Sequence, residues 1–154
     1  MCLRGAFIFD LDNTLCDCMP RVKKYIDGSD KDLDAFYEHV EEDAEIFDVT
    51  TVMSALADKG FDILFVSGRR ESCRARTLQW LEEHGYGRLA KSEHLFLRMP
   101  EDGHRADYVS KVRNYRKNIE GKWHVVGVFE DRDECVRAWR DLGLTCFQVA
   151  DGDY

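Results

Sequence analysis

The sequence has few residues that interrupt regular structure, and it lacks a long hydrophobic run. Two prolines and eleven glycines among 154 residues argue against a disordered or low-complexity chain. The apolar run near the start, Phe7-Ile8-Phe9, is far too short for a signal peptide or a membrane span. We therefore expect a single domain, residues 1–154, that stays in the cytoplasm and makes no membrane contact.

No Cys-x-x-Cys spacing occurs, although the chain has six cysteines. The expected cytosolic setting keeps thiols reduced, so ordinary free thiols are the favoured interpretation. Cys16 and Cys18 leave a redox or zinc role open. The cysteines are Cys2, Cys16, Cys18, Cys73, Cys135 and Cys146.

Positive charge is in deficit, with 22 basic against 30 acidic side chains and a net charge of −8. That sign excludes a protein that coats nucleic acid through a broad basic face, but it leaves a local basic mouth possible. Two cationic runs could supply one, and each could equally be a solvated helix face. The runs are Arg69, Arg70, Arg74 and Arg76, and Arg21, Lys23 and Lys24.

Short apolar runs alternate with segments of helical period. The runs predict buried strands, and the segments between them place apolar residues on one helix face. This alternation predicts an α/β fold in which helices cover both faces of a central parallel sheet. The predicted strands are 6–11, 61–66, 95–97, 124–129 and 145–149, and the predicted helices are 49–57, 71–84, 107–118 and 132–142.

Residues 18–47 break this rhythm directly after the first predicted strand. They include an acidic stretch, Lys31 to Glu45, that we expect to be helical. A small helical cap or lid is the preferred interpretation, because insertions of this length are often functional. A plain surface excursion is the alternative.

Three of the predicted strands end in reactive side chains, namely Asp10 and Asp12, Ser67, and Glu130 with Asp131. Any one of these could be ordinary turn chemistry. In parallel sheets, however, the carboxyl ends of the strands meet where ligands bind. Carboxylates gathered there repel one another unless a cation neutralises them, and an all-oxygen set selects Mg²⁺.

The motif from Asp10 to Thr14, Asp-Leu-Asp-Asn-Thr, resembles the first signature of the haloacid dehalogenase (HAD) superfamily. Val66-Ser-Gly-Arg69, Lys111 and Glu130-Asp-Arg132 follow in that family's order. Response-regulator receivers have similar ingredients, but their lysine comes last, whereas Lys111 precedes Asp131. The resemblance implies a Rossmann-like three-layer sandwich.

The resemblance also implies roles for these residues. Asp10 would be the nucleophile that forms an aspartyl phosphate, and Asp12 the general acid and base. Ser67 and Lys111 would bind the phosphoryl oxygens. The metal ligands would be Asp10, Asp12 through its backbone carbonyl, Asp131 and Glu130. Two departures stand out, Asn13 where Gly is common and Glu130 where Asp is commoner, and Asn tolerates the positive φ of that turn.

Most of the chain outside residues 18–47 resembles the phosphatase half of phage-type polynucleotide kinase/phosphatase. The likeness implies removal of a 3′-phosphate from a nucleic-acid end or from a nucleotide. Arg69 and Arg98 would steer the substrate's backbone, unless they serve as salt-bridge partners. The substrate-binding candidates are Thr14, Gly68, Arg69, Arg98 and Arg132.

A kinase activity is not expected, because Gly121-Lys122-Trp123 lacks both the spacing and the hydroxyl of an ATP-binding P-loop. The acidic balance keeps a nucleotidase or a small-molecule phosphatase as the alternative. A phosphate-binding module without catalysis is a third hypothesis, from a different functional class.

Overall fold

A computed structural model describes residues 2–153 of the chain. Strands and helices alternate along most of its length. The strands are β1 (Arg4–Phe9), β2 (Cys16–Asp17), β3 (Ala44–Glu45), β4 (Asp62–Arg70), β5 (Leu95–Arg98), β6 (Trp123–Glu130) and β7 (Cys146–Gln148). The α-helices are α1 (Met19–Tyr25), α2 (Leu33–Glu38), α3 (Phe47–Asp58), α4 (Arg74–Glu83), α5 (Asp107–Asn114) and α6 (Asp133–Asp141).

Five strands form one sheet in the order β5-β4-β1-β6-β7. Every neighbouring pair in it is parallel. β1 takes the central position because its residues from Ala6 to Phe9 are apolar and buried on both faces of the sheet. This architecture confirms the predicted α/β sandwich with a central parallel sheet.

Alternate residues of β1 point into two separate hydrophobic layers. Phe7 and Phe9 pack in a cluster that includes Met53 of α3. Ala6 and Ile8 pack in a second cluster that includes Trp139 of α6. The period-two alternation of a strand therefore anchors helices on both faces of the sheet.

All five predicted strands are present, but some bounds differ from the expectation. β4 continues to Arg70, so Ser67 lies within the strand rather than after it. The helix predicted at 107–118 ends as an α-helix at Asn114 and continues as a single π turn, Tyr115–Ile119. The extra residue of that turn places Ile119 in the core, where it is fully buried.

The segment 18–47, called the cap segment below, departs most from its prediction. The stretch expected to be helical from Lys31 to Glu45 forms only α2 and a short 3₁₀ turn, Val40–Glu42. α1 was not predicted, and neither was the antiparallel pairing of β2 with β3 at the base of the segment. Within residues 2–153, no helix has the length and hydrophobicity needed to cross a membrane.

Candidate active site

Asp10 lies at the carboxyl end of the central strand. Its backbone N–H donates to the carbonyl of Phe129 in β6, at 3.0 Å, which extends the sheet pairing by one residue. The loop that follows turns sharply at Asn13, whose φ is 60°. Asn therefore fills the position where glycine is commoner, because its short polar side chain tolerates this conformation.

Three buried carboxylates meet at this point: Asp10, Glu130 and Asp131. One oxygen from each lies within 4.8 Å of the others. Burial, and then the nearby charge of Glu130, raises the pKa of Asp10 well above its usual value. Thr14 links the set, since its hydroxyl lies 3.2 Å from Asp131 Oδ1 and 3.4 Å from Asp10 Oδ2.

Lys111 of α5 is the buried cation beside these carboxylates. Its Nζ lies 3.1 Å from Asp10 Oδ1, 3.1 Å from Asp107 Oδ2 and 2.8 Å from Glu130 Oε2. Burial opposes its charge, but the three carboxylates outweigh burial, and the pKa of Lys111 is raised well above its usual value. The ammonium group is therefore firmly protonated.

Both oxygens of Glu130 are engaged by protein groups. Oε2 accepts from Lys111 Nζ at 2.8 Å and from the Trp139 indole at 3.4 Å. Oε1 accepts from the backbone N–H of Asp131 at 3.2 Å and of Arg132 at 3.4 Å. Glu130 thus fixes Lys111 and the start of the next loop.

Asp12 lies apart from the three-carboxylate cluster and faces two arginines. Arg69 donates to it through Nε at 3.0 Å and Nη2 at 2.8 Å, and Arg21 donates through Nη2 at 2.7 Å. Burial alone would raise the pKa of Asp12, but the two guanidinium groups outweigh it and lower the pKa to about 2. The Asp12 carboxylate is therefore ionised at neutral pH.

Arg21 is a site residue that the sequence analysis placed only in a cationic run. It is buried in the cap segment and donates to both oxygens of Asp43, each at 2.6 Å. Its Nη1 also donates to the carbonyl of Phe36 at 2.8 Å. No local motif marks Arg21, because its partners come from elsewhere in the chain.

Asp107 is a site residue that the sequence analysis did not single out, and its carboxylate lies against Lys111. The Asp107 carboxylate can pack directly on the backbone of β4 because residue 68 is glycine. A Cβ at that position would lie 1.9 Å from Asp107 Oδ1. Only glycine lets α5 come this near to β4. The signal available in sequence was the spacing of four residues between Asp107 and Lys111, which places both on one helix face.

The predicted substrate-binding arginines differ in their placement. Arg69 is buried, and besides Asp12 it donates to Thr77 Oγ1 at 2.9 Å, so its guanidinium serves as a salt-bridge partner. Arg98 donates to the backbone carbonyls of Gly68, at 3.1 Å, and Arg105, at 2.8 Å. These contacts fix the loop after β5.

A cavity of about 560 Å³ lies at the carboxyl ends of the strands, and most of the predicted site residues line it. Thr14 and Lys111 are buried and contact the lining residues without belonging to the wall themselves. The predicted residues in the wall are Asp10, Asp12, Ser67, Gly68, Arg69, Arg98, Glu130, Asp131 and Arg132.

The parallel sheet, its strand order and the carboxylates at its carboxyl edge define a hydrolase of the haloacid dehalogenase superfamily, which confirms the resemblance seen in sequence. Comparison with known families agrees. Residues 4–154 match the family described as "Polynucleotide kinase PNKP phosphatase domain". The chain belongs to this family, and its enzyme class is phosphoric monoester hydrolase.

Two relatives are similar over most of the chain. A protein of Autographa californica nuclear polyhedrosis virus, named a bifunctional polynucleotide kinase/RNA ligase, is 34% identical over 146 residues, which is 94% of this chain and 19% of that protein. A chain in a Pnkp1/Rnl/Hen1 complex superposes with a TM-score of 0.80 at 28% identity, over 99% of this chain and 47% of that one. The chain thus spans less than half the length of either relative.

A second structure of the Pnkp1/Rnl/Hen1 assembly is described as an RNA repair complex. A class C acid phosphatase from Bacillus anthracis, with tungstate bound, superposes with a TM-score of 0.74 over 100% of this chain and 69% of its own. At 18% identity, that likeness shows the shared fold alone.

Proposed function

We propose that this chain is a Mg²⁺-dependent phosphomonoesterase that removes 3′-phosphate groups from nucleic-acid ends through an aspartyl-phosphate intermediate. The observation that carries the proposal is the placement of Asp10, in the cavity wall at the end of β1, next to both the buried Lys111 ammonium and Asp131. Nucleophile, cation and metal ligands are the groups that phosphoryl transfer requires.

The donor set fits a hard divalent cation. Three buried carboxylates have oxygens within 4.8 Å of one another, and neither His nor Cys joins them. Asp10 and Asp131 would hold Mg²⁺ through side-chain oxygens, together with the backbone carbonyl of Asp12. Glu130, which accepts a hydrogen bond from Lys111, would help to hold these ligands in position. A bound Mg²⁺ would offset the repulsion between the carboxylate nucleophile and the phosphate dianion.

Asp10 is the nucleophile in this proposal. One of its carboxylate oxygens attacks phosphorus in line, a P–O bond to the aspartate forms, and the bond to the nucleotide's 3′-oxygen breaks. Water then attacks phosphorus, which releases inorganic phosphate and restores the free carboxylate. The Lys111 ammonium, 3.1 Å from Asp10 Oδ1, stabilises the negative charge that develops on the phosphoryl oxygens.

Asp12 transfers the protons. Its carboxylate is held ionised by Arg69 and Arg21, a state ready to accept the proton of the attacking water. To protonate the leaving oxygen it must first take up a proton from solvent, which requires its pKa to rise from the value of about 2 that Arg69 and Arg21 set; it then recovers that proton from the attacking water in the second step. Ser67, buried in the cavity wall, donates its hydroxyl to a phosphoryl oxygen.

The nucleic-acid substrate is supported by the family and by the roles named for its relatives. Arg98 and Arg132 line the cavity on the side of the sheet and would bind backbone phosphates there. The cap segment lines the same cavity and would act as a small lid. The cytoplasmic location inferred from the sequence remains a prediction.

The test is a comparison of substrates with Mg²⁺ present. We expect a 3′-phosphorylated oligonucleotide to be hydrolysed with a higher kcat/KM than its 5′-phosphorylated counterpart or either mononucleotide. Asp10→Asn should lose turnover by orders of magnitude. Equal or better turnover of a free nucleotide would instead identify a nucleotidase, and Asp10→Asn with unchanged phosphate affinity and no wild-type turnover would identify a binding module.

A further inference from the structure

The cavity over the strand ends has two walls of opposite character. The sheet side carries the charged groups described above, whereas the cap segment supplies an apolar wall. Met19 and Leu33 in that wall are each 41% exposed, which is a high value for large hydrophobic side chains beside a polar site. The apolar wall consists of Met19, Val22, Ile26, Leu33, Phe36 and Tyr37, and the cap segment also contributes Cys18 and Asp27 to the cavity lining.

Charge separates the two walls as well. Residues 18–47 contain nine acidic and four basic side chains, a net charge of −5. Arg21, one of the four, is buried against Asp43 and offers nothing to solvent. The cap segment therefore repels phosphate groups, while Arg98 and Arg132, at the carboxyl ends of β5 and β6, attract them.

We propose that the apolar wall receives the nucleobase of the terminal nucleotide, with the phosphates directed toward the sheet side. This inference rests on the proposed function, and it names the part of the substrate that determines specificity. A nucleobase is flat and uncharged, so it matches a surface that is apolar within a negatively charged segment. A volume of about 560 Å³ lies within the range that holds a ligand of nucleotide size.

The aromatic part of the wall is held in position by the protein. The Arg21 guanidinium lies 4.3 Å from the centroid of the Phe36 ring, and that of Arg70 lies 4.9 Å from the centroid of Tyr37. The two rings meet edge to face, with centroids 5.2 Å apart. A wall fixed in this way binds a base with little loss of side-chain entropy.

The experiment compares two oligonucleotides that both end in a 3′-phosphate, one with a normal terminal base and one with an abasic terminal residue. Base stacking predicts that the wild-type protein prefers the first by about 5- to 150-fold in kcat/KM, mostly through KM. The double variant Met19→Ala/Leu33→Ala should lower that preference severalfold. Val52→Ala is the matched control, because Val52 is similarly exposed, at 42%, on α3 and outside the cavity.

If the wild-type protein hydrolyses the two oligonucleotides equally well, the proposal that the apolar wall binds the base is wrong. The 3′-phosphatase proposal would be unaffected by that result. Failure to hydrolyse either one, with normal turnover of glycerol 2-phosphate, would overturn both proposals. A base preference that Val52→Ala lowers as much as the double variant would also overturn the assignment to this wall. The wild-type comparison decides the question even if the double variant folds poorly.

Discussion

Arg21 of the cap segment donates a hydrogen bond to Asp12 Oδ1, at 2.7 Å, and is simultaneously bonded to both carboxylate oxygens of Asp43. A single buried guanidinium therefore joins the loop after the central strand to the base of the cap segment. The position of the cap segment depends on it, and it acts with Arg69 to keep the pKa of Asp12 low.

Replacing Arg21 with Gln should destabilise the protein strongly. The change leaves Asp43 buried with one remaining cation, Arg69, whose Nη2 lies 3.7 Å away. Breaking a buried ion pair costs about 3–5 kcal/mol, whereas an exposed pair contributes less than about 1 kcal/mol. Urea unfolding compared with Arg88→Gln, which removes the exposed pair with Asp58, measures the difference. Equal stability of the two variants would contradict the structural role of Arg21.

Replacing Gly68 with Ala should displace Asp107 and impair catalysis. The new Cβ would lie 1.9 Å from Asp107 Oδ1, so Asp107 must move and Lys111 loses a partner. A shift of about 1 Å in such a group can reduce turnover by about 100-fold. Gly87→Ala is the matched control, since its Cβ would meet nothing closer than 3.8 Å. If both variants keep wild-type kcat, the contact between β4 and α5 does not position Lys111.

Mg²⁺ should raise the melting temperature of the wild-type protein. At about 100 times its Kd the ion would contribute about 2.7 kcal/mol, which corresponds to a rise of about 5–10 °C for a domain of this size. Asp131→Asn should abolish the rise, because it removes a ligand from the cluster. Asp141→Asn, an exposed carboxylate on α6, should keep it.

The melting temperatures of the wild-type protein and of Asp131→Asn without Mg²⁺ provide a second test of the metal site. Without Mg²⁺, Asp131→Asn should melt at or above the wild-type temperature, because repulsion between the buried carboxylates is relieved. A Mg²⁺-induced rise that survives in Asp131→Asn would place the ion elsewhere.

A thiol reagent should react rapidly with only one of the cysteines. Cys2 is exposed, whereas the other five cysteines are buried. Burial raises the pKa of Cys146 to about 12, and that of Cys16 well above its usual value, so little reactive thiolate forms at neutral pH. Ellman's reagent should modify one thiol quickly in the native protein and none quickly in Cys2→Ser. Rapid reaction of two thiols in the native protein would contradict the burial of the other five cysteines.

The sequence predicted the sheet and its carboxylates because that information is local. β1 ends in a contiguous apolar run that Asp10 follows directly, and Glu130 and Asp131 come at the end of the similar strand β6. Strand direction then brings the two ends together, since parallel strands share one carboxyl edge. The sequence alone therefore predicted that Asp10, Glu130 and Asp131 lie together at one edge of the sheet.

The cap segment could not be predicted in the same way, because tertiary contacts determine its form. Asp32 accepts a hydrogen bond from the backbone N–H of Ala35 and so begins α2 later than its acidic composition suggested. The helix then ends early, because Val40 is fully buried and Asp43 must reach Arg21. The partners of Arg69 and Arg21 depend on this arrangement, and no sequence pattern specifies them.

The most direct test of the account is detection of a phosphoryl group on Asp10. The protein would be mixed with excess 3′-phosphorylated oligonucleotide and Mg²⁺, quenched in acid within milliseconds and analysed by peptide mass spectrometry. We predict an acid-stable acyl phosphate on the peptide containing Asp10, absent from Asp10→Asn and from samples without Mg²⁺. Rapid turnover with no phosphoryl group on Asp10, or with the group on another residue, would contradict Asp10 as the nucleophile.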